Sequence, residues 1–290
     1  MPNSLSNAHK LLLRNKLDGL YRQYSREFLY SDPLSFVHRY SNPKDQEVVA
    51  WIASVLSYGS VPQIKRSMTI VFSNLSENPY IYLRDFSLTS LSEDFQAFRH
   101  RFTTGADLVV LFYLIHNVID DFGSVGTFFQ TIFGESENSV KNLLTNVIRR
   151  LRGMDISPVE SFYRPEKFWY LLPSPHSGSA CKRWNMFLRW MVRRNDGVDL
   201  GLWTGIPAAA LILPLDTHTT RLVRLLGLTH LKNPSWKMAE EVTAHLRELD
   251  PSDPVKYDFA LSRLGILKKC PGKKQVAVCE KCPLFEVCAA

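Results

Sequence analysis

The stretch LLPSPHSGSACKRWNMFLRWMVRR, residues 171–194, joins a turn rich in Pro, Ser and Gly to an amphipathic helix. At 100° per residue its large apolar side chains fall on one face, which we expect to be buried: Trp184, Phe187, Leu188 and Met191. Helical periodicity of this kind recurs along the chain, and no alternating strand run of useful length occurs. The sequence therefore predicts an all-α fold.

Lys182 lies in the first turn of this helix, where a cation opposes the positive end of the helix dipole. Ser177 or Ser179 is the predicted N-cap, and Arg189 and Arg193 share the polar face with the lysine. The dipole and these cations favour the neutral amine that a nucleophilic lysine needs. The plain alternative is a solvated surface lysine.

Composition and charge narrow the classes of function. The formal net charge of +7 permits an anionic partner such as nucleic acid. No apolar run reaches the roughly 18 to 20 residues that cross a bilayer, and no secretory signal is readable. We therefore expect a cytosolic protein with no membrane partner.

A second notable stretch is ALILPLDTHTTRLVRLLGL, residues 210–228. An apolar run ends just before Asp216, which opens a helix predicted to end at Gly227. Capping alone explains an aspartate here, because Asp is a favoured N-cap. A catalytic carboxylate suits the same position, since the cap would fix its orientation.

Four of the five cysteines lie near the C-terminus as Cys270-x8-Cys279-x2-Cys282-x5-Cys288. Four thiolates this close together in a cytosolic chain predict a metal site, and the spacing allows either a [4Fe–4S] cluster or zinc. The fifth, Cys181, is expected to be an inert thiol. Lysines surround the loop and form a candidate phosphate-binding surface: Lys268, Lys269, Lys273, Lys274 and Lys281.

In this order, these features resemble the helix-hairpin-helix DNA glycosylase superfamily. LPLDTHTTRLVRLLGL is similar to its VDTHVxR segment, and FALSRLGILKKC followed by CxxCx5C is similar to the end of the endonuclease III branch. PSPHSGSACKRWNMFLRWM aligns with the hairpin and the lysine-bearing helix. The nearest likeness is a bacterial glycosylase-like family containing GSACKRxNMFLRWMVR and PLDTH, and a more distant one is archaeal 8-oxoguanine DNA glycosylase.

The resemblance implies a two-lobed helical helix-hairpin-helix fold with a C-terminal four-cysteine metal loop. It divides the chain into an N-terminal helical region (1–165), a hairpin and catalytic region (166–267) and an iron–sulfur loop (268–290). The segment NDGVDLGLWTGIPAAALIL, residues 195–213, is an insertion relative to the common spacing.

The implied function is a DNA repair glycosylase, with AP-lyase activity, that removes a damaged base from double-stranded DNA, with 8-oxoguanine as the best candidate. Lys182 takes the Schiff-base role and Asp216 the catalytic carboxylate role. The resemblance favours [4Fe–4S] over zinc at Cys270, Cys279, Cys282 and Cys288. Two alternatives stay open: a monofunctional glycosylase for uracil or an oxidised pyrimidine, and a non-catalytic module that binds damaged DNA or RNA.

The resemblance also suggests substrate-binding residues. The turn LSYGSVPQ lies where relatives often fill the hole left by a flipped base, and aromatic residues near Lys182 are candidates for the base pocket. The candidate DNA contacts are Tyr58, Gln63, Trp169, His176, Ser177, Gly178, Ser179, Trp190, His218 and Arg221.

Overall fold

The computed structural model describes residues 6–267, 269–273 and 275–289. Helices dominate this part of the chain, and the strands found in it form one short antiparallel hairpin. The predicted all-α class is therefore confirmed.

The chain forms two compact units that do not follow chain order. The central unit consists of Leu29–Ser177 and Gly201–Ile206. The terminal unit contains the chain up to Phe28, then Gly178–Leu200, and then the chain from Pro207 onward. The N-terminal helix belongs with the C-terminal half because it packs on helices there, so these units differ from the division 1–165, 166–267 and 268–290.

The central unit contains nine of the described helices and the hairpin. Its helices are α2 (Leu34–Val37), α3 (Pro43–Val55), α4 (Val61–Asn74), α5 (Pro79–Arg84), α6 (Leu88–Phe95), α7 (Gly105–Phe122), α8 (Val125–Gly134), α9 (Val140–Arg152) and α10 (Pro165–Phe168). The hairpin strands are β1 (Arg99–His100) and β2 (Thr103–Thr104), in the register Arg99↔Thr104 and His100↔Thr103.

The terminal unit contains the remaining described helices. They are α1 (Asn7–Gln23), α11 (Lys182–Val192), α12 (Thr217–Leu225), α13 (Trp236–Leu249), α14 (Asp258–Ile266) and α15 (Val276–Cys279). Across the two units, the described residues also form short 3₁₀ helices at Arg26–Ser31, Ser157–Phe162, Pro175–Ser177, Ala208–Ala210 and Phe285–Val287.

Helix α7 is the apolar centre of the central unit, and local sequence sets both of its ends. Thr104 and Asp107 form a reciprocal capping box, in which the Asp107 carboxylate accepts from the Thr104 N–H at 2.7 Å. Gly123 ends the helix in the left-handed region at φ 73°, as glycine does readily.

The segment Gly201–Ile206 is anchored in the central unit by Trp203. The indole N–H donates to the Glu47 carboxylate at 2.8 Å, and its ring stacks on Phe129 with centroids 5.2 Å apart. Glu47 also accepts from the Gly126 N–H at 2.9 Å. Burial raises the pKa of Glu47, and these two hydrogen bonds oppose that rise. The insertion thus places an aromatic anchor in the core.

In the terminal unit, buried ion pairs surround the second half of α11. Arg193 is 1% exposed and pairs with Asp196, Asp199 and Asp253. Arg189, which is 2% exposed, pairs with Asp199 at 3.2 Å and with another buried carboxylate at 2.5 Å, that of Asp258 on α14. The predicted polar face of this helix is therefore wrong for Arg189 and Arg193, because aspartates neutralise both arginines inside the unit.

No single helix in the described ranges is long and apolar enough to cross a membrane, and α7 with α8 meets that test only as a pair bent by 71°.

Replacing Arg193 with Met should lower the free energy of unfolding by about 3–5 kcal/mol, because three aspartates lose their buried partner. The deficit should shrink as the pH falls, because burial already raises the pKa of Asp199 and the loss of Arg193 lets that carboxyl take up a proton more readily. Urea denaturation at neutral and at lower pH measures this.

Arg14→Ala is the control, because Arg14 forms an exposed pair with Asp18 at 3.8 Å in the same unit. Arg14→Ala should lower the free energy of unfolding by less than about 0.5 kcal/mol. Equal losses for the two variants would show that the buried cluster has no special stabilising role.

Candidate functional site

Lys182 is the first residue of α11 and is half-buried. The N-cap is Cys181, with φ 46° and ψ 38°, and its side chain makes no capping hydrogen bond. The predicted caps, Ser177 and Ser179, are therefore wrong. The Ser179 hydroxyl instead accepts from the Cys181 N–H at 3.2 Å. A left-handed non-glycine residue is uncommon, and such residues occur preferentially at functional sites.

Fewer charged groups favour a neutral, reactive Lys182 than the sequence suggests. The charges of Arg189 and Arg193 are balanced by buried aspartates, so they do not add a net positive field. The helix N-terminus remains as the feature that disfavours the ammonium form. The neighbouring Cys181 is buried, which raises the pKa of its thiol to about 12 and makes it inert at neutral pH.

The segment before α11 is held by local hydrogen bonds. The Ser177 N–H and hydroxyl both donate to the Ser174 carbonyl, at 3.2 Å and 2.8 Å, and the His176 N–H donates to the Ser174 hydroxyl at 3.3 Å. Gly178 lies in the left-handed region at φ 80°, and its carbonyl accepts from the Trp236 N–H at 3.0 Å. The predicted phosphate contacts of this segment, His176 through Ser179, remain predictions.

Asp216 is the N-cap of α12, as predicted. One carboxylate oxygen, Oδ1, accepts from the Thr219 N–H at 2.6 Å. The side chain is half-buried, and its other oxygen makes no hydrogen bond within the described residues. The cap therefore orients the carboxylate and leaves one oxygen available for chemistry.

His218 and Arg221 on α12 make structural contacts that the sequence does not reveal. The His218 ring lies against Gly265 of α14, where an added Cβ would come within 2.5 Å of it. Arg221 donates to the Cys270 carbonyl at 3.1 Å, and its guanidinium carbon lies 2.8 Å from the Cβ position of Gly272. Gly272 is left-handed, with φ 78°, a conformation that glycine adopts without steric cost. Contact of these two side chains with DNA remains a prediction.

All four loop cysteines line a single cavity of about 150 Å³ in the terminal unit. Leu222, Leu225 and Leu226 form its wall on the α12 side. Burial raises the pKa of Cys282, and the other three thiols raise it further, so the four groups are close enough to interact. Among the described residues, no three His, Cys, Asp or Glu side chains converge on one point that would hold a single metal ion.

Backbone hydrogen bonds tie the cysteine loop to the helices beneath it. The Leu264 carbonyl of α14 accepts from the Cys270 N–H at 3.0 Å, and the Leu225 carbonyl of α12 accepts from the Ala289 N–H at 2.7 Å. Within the loop, the Gln275 N–H donates to the Cys279 sulfur at 3.4 Å. The loop is therefore attached to α14 at its beginning and to α12 at its end.

Three of the predicted phosphate-binding lysines, Lys269, Lys273 and Lys281, are exposed around this cavity. The other two, Lys268 and Lys274, lie outside the described residues. The described lysines thus give the loop a solvent-facing cationic surface.

The two central-unit candidates from the turn LSYGSVPQ are held by neighbours. The Tyr58 hydroxyl is 2.7 Å from the His100 carbonyl and 2.6 Å from the Thr103 hydroxyl. The Gln63 side-chain oxygen accepts from the Ser60 hydroxyl and N–H, at 3.0 Å and 3.3 Å, in a capping box. The Tyr58 hydroxyl is therefore committed to the hairpin, whereas contact of the exposed Gln63 with DNA remains a prediction.

The two tryptophan candidates differ. Trp190 is 0% exposed, so no face of its ring is open to stack on a base, and its predicted DNA contact has no support. Trp169 is half-buried in the central unit, where Arg152 lies 4.6 Å from its ring centroid. Trp169 therefore remains a candidate.

A family model described as "Protein of unknown function (DUF2400)" matches residues 32–267, and the chain belongs to that family. The matched segment includes Lys182 and Asp216 and ends before Cys270. Among curated proteins and among solved structures, no significant match is found.

The cap at Asp216 can be tested apart from any activity. Asp216→Ala should lower the free energy of unfolding by about 1 kcal/mol, whereas Asp216→Asn and Asp216→Ser should change it by a few tenths, because all three polar residues are good N-caps. Urea denaturation measures the series. Ser235→Ala, which removes the N-cap of α13, is the matched control. A loss for Asp216→Asn as large as that for Asp216→Ala would contradict the capping role.

Proposed function

We propose that this member of the DUF2400 family is a DNA glycosylase that removes a damaged base through Lys182 and then cleaves the strand as an AP lyase. One observation carries the proposal. A single helix, α12, presents Asp216 at its first turn and forms the wall of a cavity lined by four cysteines at its other end. The lysine-bearing helix α11 belongs to the same compact unit.

Lys182 would act as the nucleophile. Its neutral amine attacks C1′ of a flipped nucleotide, and the C1′–N bond to the base breaks as the new C–N bond forms. Loss of a proton from nitrogen and ring opening of the sugar leave a protonated Schiff base. Removal of a C2′ proton then drives β-elimination, which breaks the C3′–O bond and cleaves the strand. The position of Lys182 at a helix N-terminus supports this role, since it favours the neutral amine.

Asp216 would accept the proton from the attacking amine or stabilise the positive charge that develops on the sugar. The cap supports this role, since the Thr219 N–H fixes the orientation of the carboxylate. The second oxygen remains available to the substrate.

The four loop cysteines would hold a [4Fe–4S] cluster, which is bound by four thiolates. The donor set fits, since all four line one cavity and the Cys279 sulfur already accepts an N–H bond. The cluster would stabilise the loop that carries the exposed lysines. Those lysines and the +7 charge support binding to a phosphate backbone, and double-stranded DNA is the proposed partner.

Borohydride trapping tests the nucleophile. Duplexes containing 8-oxoguanine, uracil, thymine glycol or an abasic site should give a covalent adduct with the wild-type chain, most strongly with 8-oxoguanine among the base lesions. Lys182→Gln should form none, because the Schiff base cannot form. Lys237→Gln is the control, since Lys237 is an exposed lysine in the first turn of another helix, α13. Asp216→Asn keeps the cap and should slow trapping by about 10²- to 10⁴-fold with unchanged DNA affinity.

The possible results separate the alternatives. An adduct that persists in Lys182→Gln would assign the reaction to another amine. Base release without an adduct would indicate a monofunctional enzyme centred on Asp216. Binding without release or adduct would make the protein a binding module rather than an enzyme.

Metal analysis tests the cysteine site. Protein purified without oxygen should contain about four iron atoms per chain with matching sulfide, and Cys279→Ser should lower both. Arg221→Gln should lose iron faster to a chelator, because it removes the hydrogen bond to the Cys270 carbonyl. Arg224→Gln is the control, since Arg224 is exposed on the same helix. One zinc per chain in place of iron would overturn the cluster assignment, and no bound metal would overturn the metal site.

A further inference from the structure

We infer that the tip of the β1–β2 hairpin, Arg101 and Phe102, is a DNA contact at which the Phe102 ring stacks on an unpaired base. The inference rests on the DNA-binding part of the proposed function and assigns a role to a segment outside the sequence resemblance.

Phe102 is the most exposed large apolar side chain among the described residues, at 71%. An exposed phenylalanine forgoes about 1.5–3 kcal/mol of burial energy. Isolated exposed apolar side chains are common and need no explanation by themselves. The inference therefore depends on how this one is held and on what surrounds it.

The hairpin below Phe102 is fixed by a polar network. The Tyr58 hydroxyl lies within hydrogen-bond distance of the His100 carbonyl, of the Thr103 hydroxyl and, at 2.7 Å, of the Tyr170 hydroxyl. The His100 ring is buried, with its two nitrogens 2.8 Å from the Ser67 hydroxyl and 2.9 Å from the Tyr58 carbonyl. A base-stacking side chain is most effective on such a rigid support, because little freedom is lost on binding.

Arg101 is also held in place. It adopts a left-handed conformation at φ 54°, and its Cδ lies 2.8 Å from the Cβ position of Gly59. Its guanidinium carbon is 5.6 Å from the Phe102 ring centroid, and the Tyr170 ring lies edge-on to Phe102 at 6.5 Å. The exposed residue Arg99 begins the same hairpin.

A single exposed ring beside arginines fits nucleic acid better than a protein surface. Bases stack on aromatic rings and phosphates attract guanidinium groups, and this combination marks proteins that bind unpaired nucleotides. Protein interfaces instead need a larger continuous apolar core. The hairpin tip is therefore matched to one unpaired base with its adjoining phosphates.

The hairpin also takes over the role that the sequence suggests for Tyr58. The Tyr58 hydroxyl is held in hydrogen bonds and serves as the support of the hairpin. The ring that reaches solvent is that of Phe102.

The test uses the full chain and a duplex with one tetrahydrofuran abasic site, which contains an unpaired base opposite the site and cannot form a Schiff base. Phe102→Ala should weaken binding by about 5- to 150-fold, and Phe102→Tyr should keep most of the affinity. Tyr30→Ala is the matched control, because Tyr30 is 60% exposed in the same unit; its affinity should not change. Tryptophan emission of Phe102→Trp should be quenched by this duplex, and that of Tyr30→Trp should not.

Affinity of Phe102→Ala within twofold of wild type, or an equal loss on an intact duplex, would overturn the inference. Unfolding is excluded as a cause when the melting temperature of each variant matches wild type. Because this duplex cannot react with Lys182, the two proposals fail separately. Trapping with unchanged Phe102→Ala affinity would reject the hairpin contact alone, and the expected binding pattern without trapping would reject the glycosylase alone.

Discussion

The buried ion pairs of Arg189 and Arg193 are the constraint on which the terminal unit depends. A guanidinium inside a protein must meet carboxylates at the correct distance, and these carboxylates come from three separate places in the chain. The pairs therefore fix α11 against the loop that follows it, against Asp253 and against α14. Lys182 lies at the opposite end of that same helix, where the chain enters from a left-handed Cys181.

Helix α12 connects the other two parts of the candidate site. Its N-cap carboxylate is Asp216, its middle residue Arg221 holds the Cys270 carbonyl, and its Leu225 carbonyl accepts from the far end of the cysteine loop. In the proposed enzyme the metal loop would thus stabilise the helix that orients the catalytic carboxylate. Loss of the cluster would therefore impair activity even if the cluster takes no part in the chemistry.

The central unit has a different organisation, built on an apolar helix, α7, and on one anchored aromatic, Trp203. Its contribution to the proposed function is a surface rather than a reactive group. The polar network around Tyr58 holds a short hairpin in place. That support allows a large apolar ring to stay exposed at the tip.

The sequence alone determined the helical class, the ends of α7 and the cap at Asp216, because periodicity, glycine and capping chemistry act within a few residues. It also identified the four cysteines as a group, since they are close along the chain. It could not determine the burial of Arg189 and Arg193, the hydrogen bond from Arg221 to the Cys270 carbonyl or the support of Phe102 by Tyr58. Each of these depends on a partner far away in sequence, which only the tertiary structure brings into contact. The same reason explains why the expected polar face at Arg189 and Arg193 and the serine caps of α11 were wrong: helical period alone does not show what lies opposite each face.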